Sequence, residues 1–529
     1  MIIIFLSLVA LQIPAYAAAQ TLSYADTNRG VANIQTTHNV MAGALDPTGR
    51  CLLHADYNNH HSEGWIAVDP TNPNHLVGMS KFFSNPQYYL FHDGTMVSRD
   101  AGRTWKNAIL PGFDCRSSPD NSWSATTDPT IAFDSKGNVY SAVLAFNEQY
   151  NSAGDPIPVS PSDEIAVVKS TDGGSHWDSA NNGTPLLLHT SRDTISDKPW
   201  ISVDSTPQSR FADHVYVAWT VIDVYGNGNV WFSTSADHGQ HFTQPVPITD
   251  IVNDGNYNTQ AIMASAPDGT LYVSYLSFPN INTTQTDAWL LTSKDGGLSF
   301  SQPKLIASFT SPITLDRPNT TFREFFADSF TVDSSNGHLL LTYENDNGSG
   351  LDVYLTVSRD GGLSWSHPIP VNDHSTVNDG TDQFQPTVAV ANNGIVGVAF
   401  YDRRLPCPFA NSNILSVDAG RTNFCINTSI QFYEDGHDGL QALGSNVRVS
   451  KATWDPQNPG TTTRQLPRPG GPKSNETFIG DYFGLALTNE KAFVLFTSNY
   501  NLGRNAANNQ EQVLGVVPLP RVEQGNAQD

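Results

Sequence analysis

Ser358-Arg359-Asp360-Gly361-Gly362-Leu363-Ser364-Trp365 is one of five copies of the pattern Ser-x-Asp-x-Gly-x-x-aromatic; the others run Ser98 to Trp105, Ser170 to Trp177, Ser235 to Phe242 and Ser293 to Phe300. Their aspartates, Asp100, Asp172, Asp237, Asp295 and Asp360, stand 72, 65, 58 and 65 residues apart, so one structural unit is copied around or along an axis. Turn chemistry accounts for every fixed position. The aspartate accepts hydrogen bonds from backbone N–H groups just ahead of it, the glycine takes positive φ, and the ring tucks under the turn. The five aspartates therefore read as hairpin staples before they read as chemistry.

Working outward, each copy is preceded by two short apolar strands around a glycine turn, as in Asp128-Pro129-Thr130-Ile131-Ala132-Phe133 to Val139-Tyr140 and Gln385-Pro386-Thr387-Val388 to Gly397-Val398. The order strand, hairpin, strand, loop, strand, box turn, strand makes a four-stranded antiparallel meander, the size of a propeller blade. First strands fall near Trp65, Asp128, Asp197, Asn258, Phe326, Gln385 and Asp481. The expectation is an all-β, seven-bladed β-propeller, with six blades plus an appended unit as the alternative. Gly30 to Val40 is expected to supply the strand missing from the last blade and so remove exposed edges. Ser416-Val417-Asp418-Ala419-Gly420 looks like a sixth box, but its aromatic comes one place late and it lies between Cys407 and Cys425, so it reads as a disulfide-closed loop.

The 529 residues carry 51 acidic against 28 basic side chains, a formal net charge of −23. Long-range repulsion then disfavours nucleic acid and anionic membranes as partners. An apolar run from Ile2 to Ala10 followed by Ala15-Tyr16-Ala17 reads as a signal peptide over residues 1–19, without a basic start. The mature chain is expected to have no membrane span, to be secreted or periplasmic, and to be a monomer. Its divisions are expected to be an N-terminal segment over 20–62, one propeller over 63–522 and a tail over 523–529. Cys51, Cys115, Cys407 and Cys425 form an even set suited to an oxidising compartment. Proximity favours Cys51 with Cys115 and Cys407 with Cys425, out of three connectivities. Sequons occur at Asn182, Asn282, Asn319, Asn347, Asn427 and Asn475.

Five such boxes in a β-meander chain resemble the Asp-box, or bacterial neuraminidase repeat, of the sialidase superfamily. The phrases Asp197-Lys198-Pro199-Trp200, Phe400-Tyr401-Asp402-Arg403-Arg404 and Phe478-Ile479-Gly480-Asp481-Tyr482-Phe483-Gly484 also resemble exported bacterial sialidase-like proteins. The resemblance implies fold strongly and activity weakly, because enzymes and receptors share the repeat.

In a propeller, first strands line the central channel and begin on the face where second strands end, so the box turns lie on the opposite face. That selects Glu63, Asp128, Asp197 with Lys198, Asp328, Gln385 and Asp481 at first-strand starts. It also selects Glu148, Asp223, Glu344, Asp402 with Arg403 and Arg404, and Tyr500 at second-strand ends. The acidic ring reads as turn caps, as a Ca2+ site or as catalytic carboxyls, since glycoside hydrolysis needs an acid and a second group. No cofactor is required for the last reading. The segment Glu344 to Asp352 has the flavour of a calcium loop without EF-hand spacing. A sialidase proper is expected to gather arginines on a sugar carboxylate, for which Arg317, Arg323, Arg403 and Arg404 are candidates, and to pair Tyr401 or Tyr343 with Glu344 or Glu324. Its Arg-Ile-Pro signature is absent, Arg29 and Arg50 being the only arginines before the first box.

Two functions follow. One is a secreted glycoside hydrolase with catalytic residues among Asp197, Glu344, Tyr401 and Asp402, aided by Lys198 and Asp481 at the substrate. The other is a non-catalytic propeller binding a glycan or protein.

Overall fold

The computed structural model describes residues 24–37, 42–45, 51–54, 60–85, 90–110, 125–146, 149–150, 156–157, 163–177, 186–191, 194–250, 257–279, 284–311, 322, 324, 327–373, 376–377, 379–409, 414–436, 439–458, 478–500 and 509–521. The expected signal peptide and tail, Arg317, Arg323, Glu148, Phe326 and the proposed Cys51–Cys115 pairing lie outside them.

Antiparallel ladders group the described strands into four sheets of four strands, one of five and one of eight that divides into two meanders of four, with two two-stranded ladders beside them; in chain order the meanders are numbered as seven units. The first holds His61–Asp69, Asn72–Asn85, Leu90–Ser98 and Lys106–Ile109; the second Ala125–Phe133, Val139–Phe146, Asp163–Ser170 and Leu186–Ser191. The third runs from Ile195–Val203 to Val246–Pro247, the fourth from Tyr257–Ser265 to Lys304–Thr310, and the fifth from Asp328–Val332 to Ile369–Pro370. The sixth is built on Gln383–Val390, Ile395–Asp402 and Asn427–Gly436, and the seventh on Gly484–Leu487, Lys491–Ser498 and Glu511–Pro518. Ala32–Gln35 pairs with the last of these, Ala32 opposite Val516 and Gln35 opposite Val513, so chain start and chain end share one sheet.

Each innermost strand packs beside that of the next unit, and the seventh beside the first, so the units close a β-propeller ring. Glycine makes the last contact close enough: a Cβ on Gly484 would sit 2.7 Å from the Ile66 nitrogen, and one on Gly480, at φ 104°, 2.7 Å from the Glu63 nitrogen. The hydrophobic core is divided into slabs between neighbouring units. Val77 and Met79 meet Ile131, Val143 and Trp177 between the first two, and Phe493, Leu495 and Leu514 meet Ile66 and Leu76 where the ring closes. Burial is thus the same interface repeated, which one unit alone lacks.

The boxes serve those interfaces. In the fifth unit the Asp360 carboxylate accepts the Leu363 and Ser364 N–H groups at 3.0 and 2.9 Å, and Ser358 Oγ accepts the Gly362 N–H at 2.8 Å. The other four aspartates bond in the same way, with Thr104, His176, His241 and Ser299 donating. The glycine at the fifth position of each box abuts the preceding unit: Gly102 faces Leu514, Gly174 faces Val77, Gly239 faces Tyr140, Gly297 faces Phe232 and Gly362 faces Leu290. All five turns follow third strands, at the end of the ring away from first-strand starts. The Ser416 to Gly420 segment lies at the other end, between second and third strands, inside the loop closed by the Cys407–Cys425 disulfide.

Candidate functional site

Five of the seven innermost strands break their pairing at the same level: between Ser62 and Trp65, Thr127 and Thr130, Asp197 and Trp200, Thr259 and Ile262, and Phe384 and Thr387. At each break a non-glycine residue is left-handed: Glu63 at φ 54°, Asp128 at 57°, Lys198 at 50°, Gln260 at 54° and Gln385 at 46°. Such bulges re-aim a side chain out of the two-residue alternation. Pro129, Pro199 and Pro386 follow three of them, where a residue without an N–H loses nothing from a ladder already interrupted. All five re-aimed side chains are polar, and they surround the axis at one end of the ring.

Two lysines and a set of carboxyls meet there. Lys198 Nζ lies 2.9 Å from Asp481 Oδ2, joining the third unit to the seventh across the axis. Lys81 Nζ lies 2.6 Å from Glu63 Oε2. The Lys198 N–H donates to Asp128 Oδ2 at 3.3 Å. On the other side, the Gln385 N–H donates to Glu344 Oε2 at 2.8 Å, while its side-chain amide donates to the Gly480 carbonyl at 2.9 Å. Gln260 Nε2 donates to Asp328 Oδ1 at 3.0 Å. Beneath lies an aromatic floor, Trp65 edge-on to Trp200 at 4.6 Å and to Tyr482 at 6.0 Å.

Burial sets the protonation of these groups. It pushes Glu63 up to about 7 despite the Lys81 ammonium, and Asp328 up to about 8 despite the Gln260 bond. Asp93, buried beside Asp128 and Glu63, is raised well above the carboxylate range. Asp128 and Asp197 diverge. Burial would raise Asp128, but the Lys81 and Lys198 ammoniums hold it below its ordinary value. Asp197 is lifted to about 6, by burial first, with Lys198 opposing and the charge and hydrogen bond of Asp128 adding to the lift. Lys198 stays firmly charged although burial works against it, because Asp481, Asp197 and Asp128 surround it.

The ring therefore unites Asp197, Lys198, Asp481 and Glu344 from the sequence expectation, together with Glu63, Asp128, Asp328 and Gln385. It does not include the Tyr401-Asp402-Arg403-Arg404 phrase. Tyr401 is fully buried between the sixth and seventh units, 4.6 Å from the Phe483 ring, and its phenolic oxygen accepts the Thr497 N–H at 3.0 Å. As a nucleophile it would lack access to a substrate. Asp402 accepts from Ser429 at 2.6 Å and pairs with Arg404 at 2.8 Å. Arg404 also pairs with Asp373 at 2.7 Å beneath the Tyr24 ring, and the buried Arg403 pairs with Asp382 at 3.1 Å. These arginines hold loops rather than a sugar carboxylate. Tyr343 is a core residue stacked at 4.5 Å on Phe309, and Tyr500 is buried with its hydroxyl on Asn33. Asp223 caps its own turn through Tyr225 and Asn227. In the loop after Glu344, Asn347 Oδ1 accepts from Ser349 and Gly350 and its amide donates to Asp352, so the turn itself uses these groups. Among the described residues no group of three or more His, Cys, Asp or Glu is arranged to hold a metal ion. The sequon residue Asn427 is fully buried, its Oδ1 accepting from Thr453 at 2.9 Å.

Lys81, Asp93 and Gln260 escaped the sequence reading. The recurring x-Pro one step inside the first strand was the available signal for the bulges, though it appears in only three of the five.

With the ring and its boxes in place, the comparisons can be set beside them. Residues 214–422 match the model of a BNR repeat-like domain. This stretch runs from within the third unit to within the sixth and includes the last three boxes. No curated protein matches the chain. Among solved structures, the Hadza microbial sialidase Hz136 aligns at 16% identity with a TM-score of 0.43, covering 65% of this chain and 64% of that one. A protein of unknown function from Dyadobacter fermentans aligns at 12% with a TM-score of 0.45, over 93% of this chain and 99% of that one. Trypanosoma rangeli sialidase in complex with the inhibitor DANA aligns at 12% with a TM-score of 0.41, over 92% of this chain and 59% of that one. The chain thus spans less than two thirds of the length of either sialidase. Likenesses of this depth say nothing about activity. The Cys407–Cys425 disulfide is compatible with an extracellular or periplasmic protein, and no helix among the described residues is long and apolar enough to cross a membrane.

Proposed function

We propose that the protein is an exported glycoside hydrolase acting at the axial ring on uncharged glycans. The observation that carries this reading is the pair Asp197 and Asp128. They are two hydrogen-bonded carboxyls whose surroundings push one up to about 6 and hold the other ionised, the division expected of a carboxyl kept ready to donate a proton. Asp197 would protonate the leaving glycosidic oxygen, Asp128 and Lys198 would set its proton affinity, and water would take the sugar. A carboxyl pair in hydrogen-bond contact is too close to act as both partners of a glycosidase, which stand about 5–9 Å apart. Asp128 therefore tunes Asp197 and is not its partner in the displacement. Asp197 and Lys198 are also only partly buried, whereas Glu63, Asp93 and Glu344 are covered, so a substrate meets the first two.

Charge supports a neutral substrate. Both lysines of the ring are already paired with carboxylates, and Asp128 stays ionised beside them. An acidic sugar would be repelled without an arginine clamp, and the described Arg403 and Arg404 are committed elsewhere. Export rests on the apolar N-terminal run of the sequence and the disulfide.

The test is hydrolysis of nitrophenyl glycosides and neutral oligosaccharides, with sialosides as the charged comparison. Asp197→Asn should abolish turnover and Asp128→Asn should move the alkaline limb of the pH profile, where Asp197 loses its proton, to lower pH. No turnover of any glycoside by the folded wild-type chain, or full activity in Asp197→Asn, sinks the reading. A glycan-binding propeller without chemistry would bind the panel and release nothing.

A further inference from the structure

The ring contains a small cavity that Asp128 lines and Asp197 does not. Trp65, Trp200, Lys198, Gln260, Asp328 and Tyr482 are among the side chains lining it, and it leaves about 30 Å3 for an occupant. Whole ligands take pockets of about 300 Å3 or more, so this one admits a single substituent. Asp328 is 5% exposed; its Oδ1 accepts from Gln260 and its Oδ2 has no hydrogen-bond partner. A buried carboxyl oxygen left in this state has given up its hydration without return, a loss that an incoming partner would recover. Gln260 is held to it by a left-handed backbone at φ 54°, a strain that persists only where the surroundings over-determine it.

We propose that Asp328 and Gln260 form a recognition pocket for the hydroxymethyl arm of a neutral hexose, resting on the glycan reading above. The methylene lies against the Trp65 and Trp200 walls, and the hydroxyl bonds Asp328 Oδ2. The other substituents fit poorly. A carboxylate would face the ionised Asp128, and an ammonium would face Lys198, which lines the same cavity. A site built around a hydroxyl discriminates strongly against the analogue that lacks it, because its own polar atom is then stranded.

The experiment uses the full chain and two ligand pairs: methyl glucoside against methyl xyloside, and methyl galactoside against methyl 6-deoxygalactoside. Binding is read by ligand-observed NMR titration, with methyl glucosaminide and sialic acid as charged competitors. At least one hydroxymethyl sugar should bind about tenfold or more tighter than its partner lacking the hydroxyl. Asp328→Ala and Gln260→Ala should each erase that preference; Gln260, being partly exposed, keeps the test alive if Asp328→Ala misfolds. Equal binding within both pairs, a preference surviving in both variants, stronger binding of a charged competitor, or no binding of any sugar overturns the inference. Wild-type binding with the expected preference but no hydrolysis would sink the enzyme reading and leave this one standing.

Discussion

Gly362→Ala is the substitution that best separates the two jobs of a box, capping its own turn and docking on the neighbouring unit. Gly362 has φ +82°, and a Cβ there would lie 2.2 Å from Leu290 Cδ2 in the preceding unit. Leu290 is 1% exposed and sits in the slab between the fourth and fifth units, so it has nowhere to retreat. A left-handed alanine costs about 1–2 kcal/mol, and forcing a methyl into a filled core costs about 1–3 kcal/mol more. The expected loss is therefore about 2–5 kcal/mol. Gly361→Ala is the internal control: φ is +70°, but the nearest atom to its Cβ is the Tyr272 hydroxyl at 3.1 Å, leaving chiefly the backbone cost of about 1–2 kcal/mol. Asp360→Ala removes only the cap, and the freed N–H groups of the exposed turn pass to water, so about 1 kcal/mol is expected. Guanidinium denaturation at constant m-value reads all three. The order should be Gly362→Ala well below Gly361→Ala and Asp360→Ala, with glycan binding unchanged in each because the boxes lie at the far end of the ring. Should Gly362→Ala cost no more than Gly361→Ala, the boxes would be local turns and not the seams between units.

Arg404→Ala leaves Asp402 and Asp373 without their shared cation under Tyr24. Denaturation should show a loss of about 3–5 kcal/mol with hydrolysis retained in the folded fraction, whereas an intact fold with lost activity would return this arginine to the substrate site. Thermal stability should peak near pH 4–5 and not at neutrality. Burial raises Glu164, Asp328 and Glu511 to about 8, Glu63 to about 7, and Asp197 and Asp455 to about 6. For these the folded chain holds protons that the unfolded chain has released, so their contribution is full below the ordinary carboxyl pKa and fades as pH rises through 6 to 8. The box aspartates act oppositely: Ser364 and Ser358 hold Asp360 down to about 2, a contribution present above pH 4 and lost below it. Calorimetry should find Tm lower at pH 8 than at pH 5 by about 5 °C or more; a flat or rising profile would refute the protonated state of these groups.

What the sequence disclosed follows how local each contact is. A box joins an aspartate to N–H groups three and four residues on, so five turns, and with them the repeat and the meander, are legible without a structure. Chain order then brings Asp197, Lys198 and Asp481 to one end of the ring, because first strands start there whatever their side chains do. Contacts decided by neighbours in space were not legible. Arg403 and Arg404 have the character of sugar-carboxylate ligands, yet Asp382 and Asp373 on an adjacent loop reach them first. Tyr401 stands one residue from the ring-end Asp402, but strand alternation turns it into the slab against Phe384 and Phe483. Lys81 and Asp93 sit opposite one another on adjacent strands of the first unit, and only the approach of Glu63 and Asp128 gathers them into the ring.

The left-handed residues carry the argument from fold to function. A propeller does not require them, since the ring closes equally through the fifth unit, whose inner strand pairs Asp328 to Val332 without a register break. Where left-handed backbone alone was wanted, glycine would serve at less cost, as it does at Gly480, φ 104°. Five bulges instead hold Glu, Asp, Lys, Gln and Gln in a conformation that costs each roughly 1 kcal/mol or more. Each of these side chains is turned to the axis and engaged there: Glu63 with Lys81, Asp128 with the Lys198 N–H, Lys198 with Asp481, Gln260 with Asp328, and Gln385 with the Gly480 carbonyl. Strain repeated at one level, always on a polar side chain and always facing the same axis, is accounted for by what those side chains do together at the ring and not by the needs of any single blade.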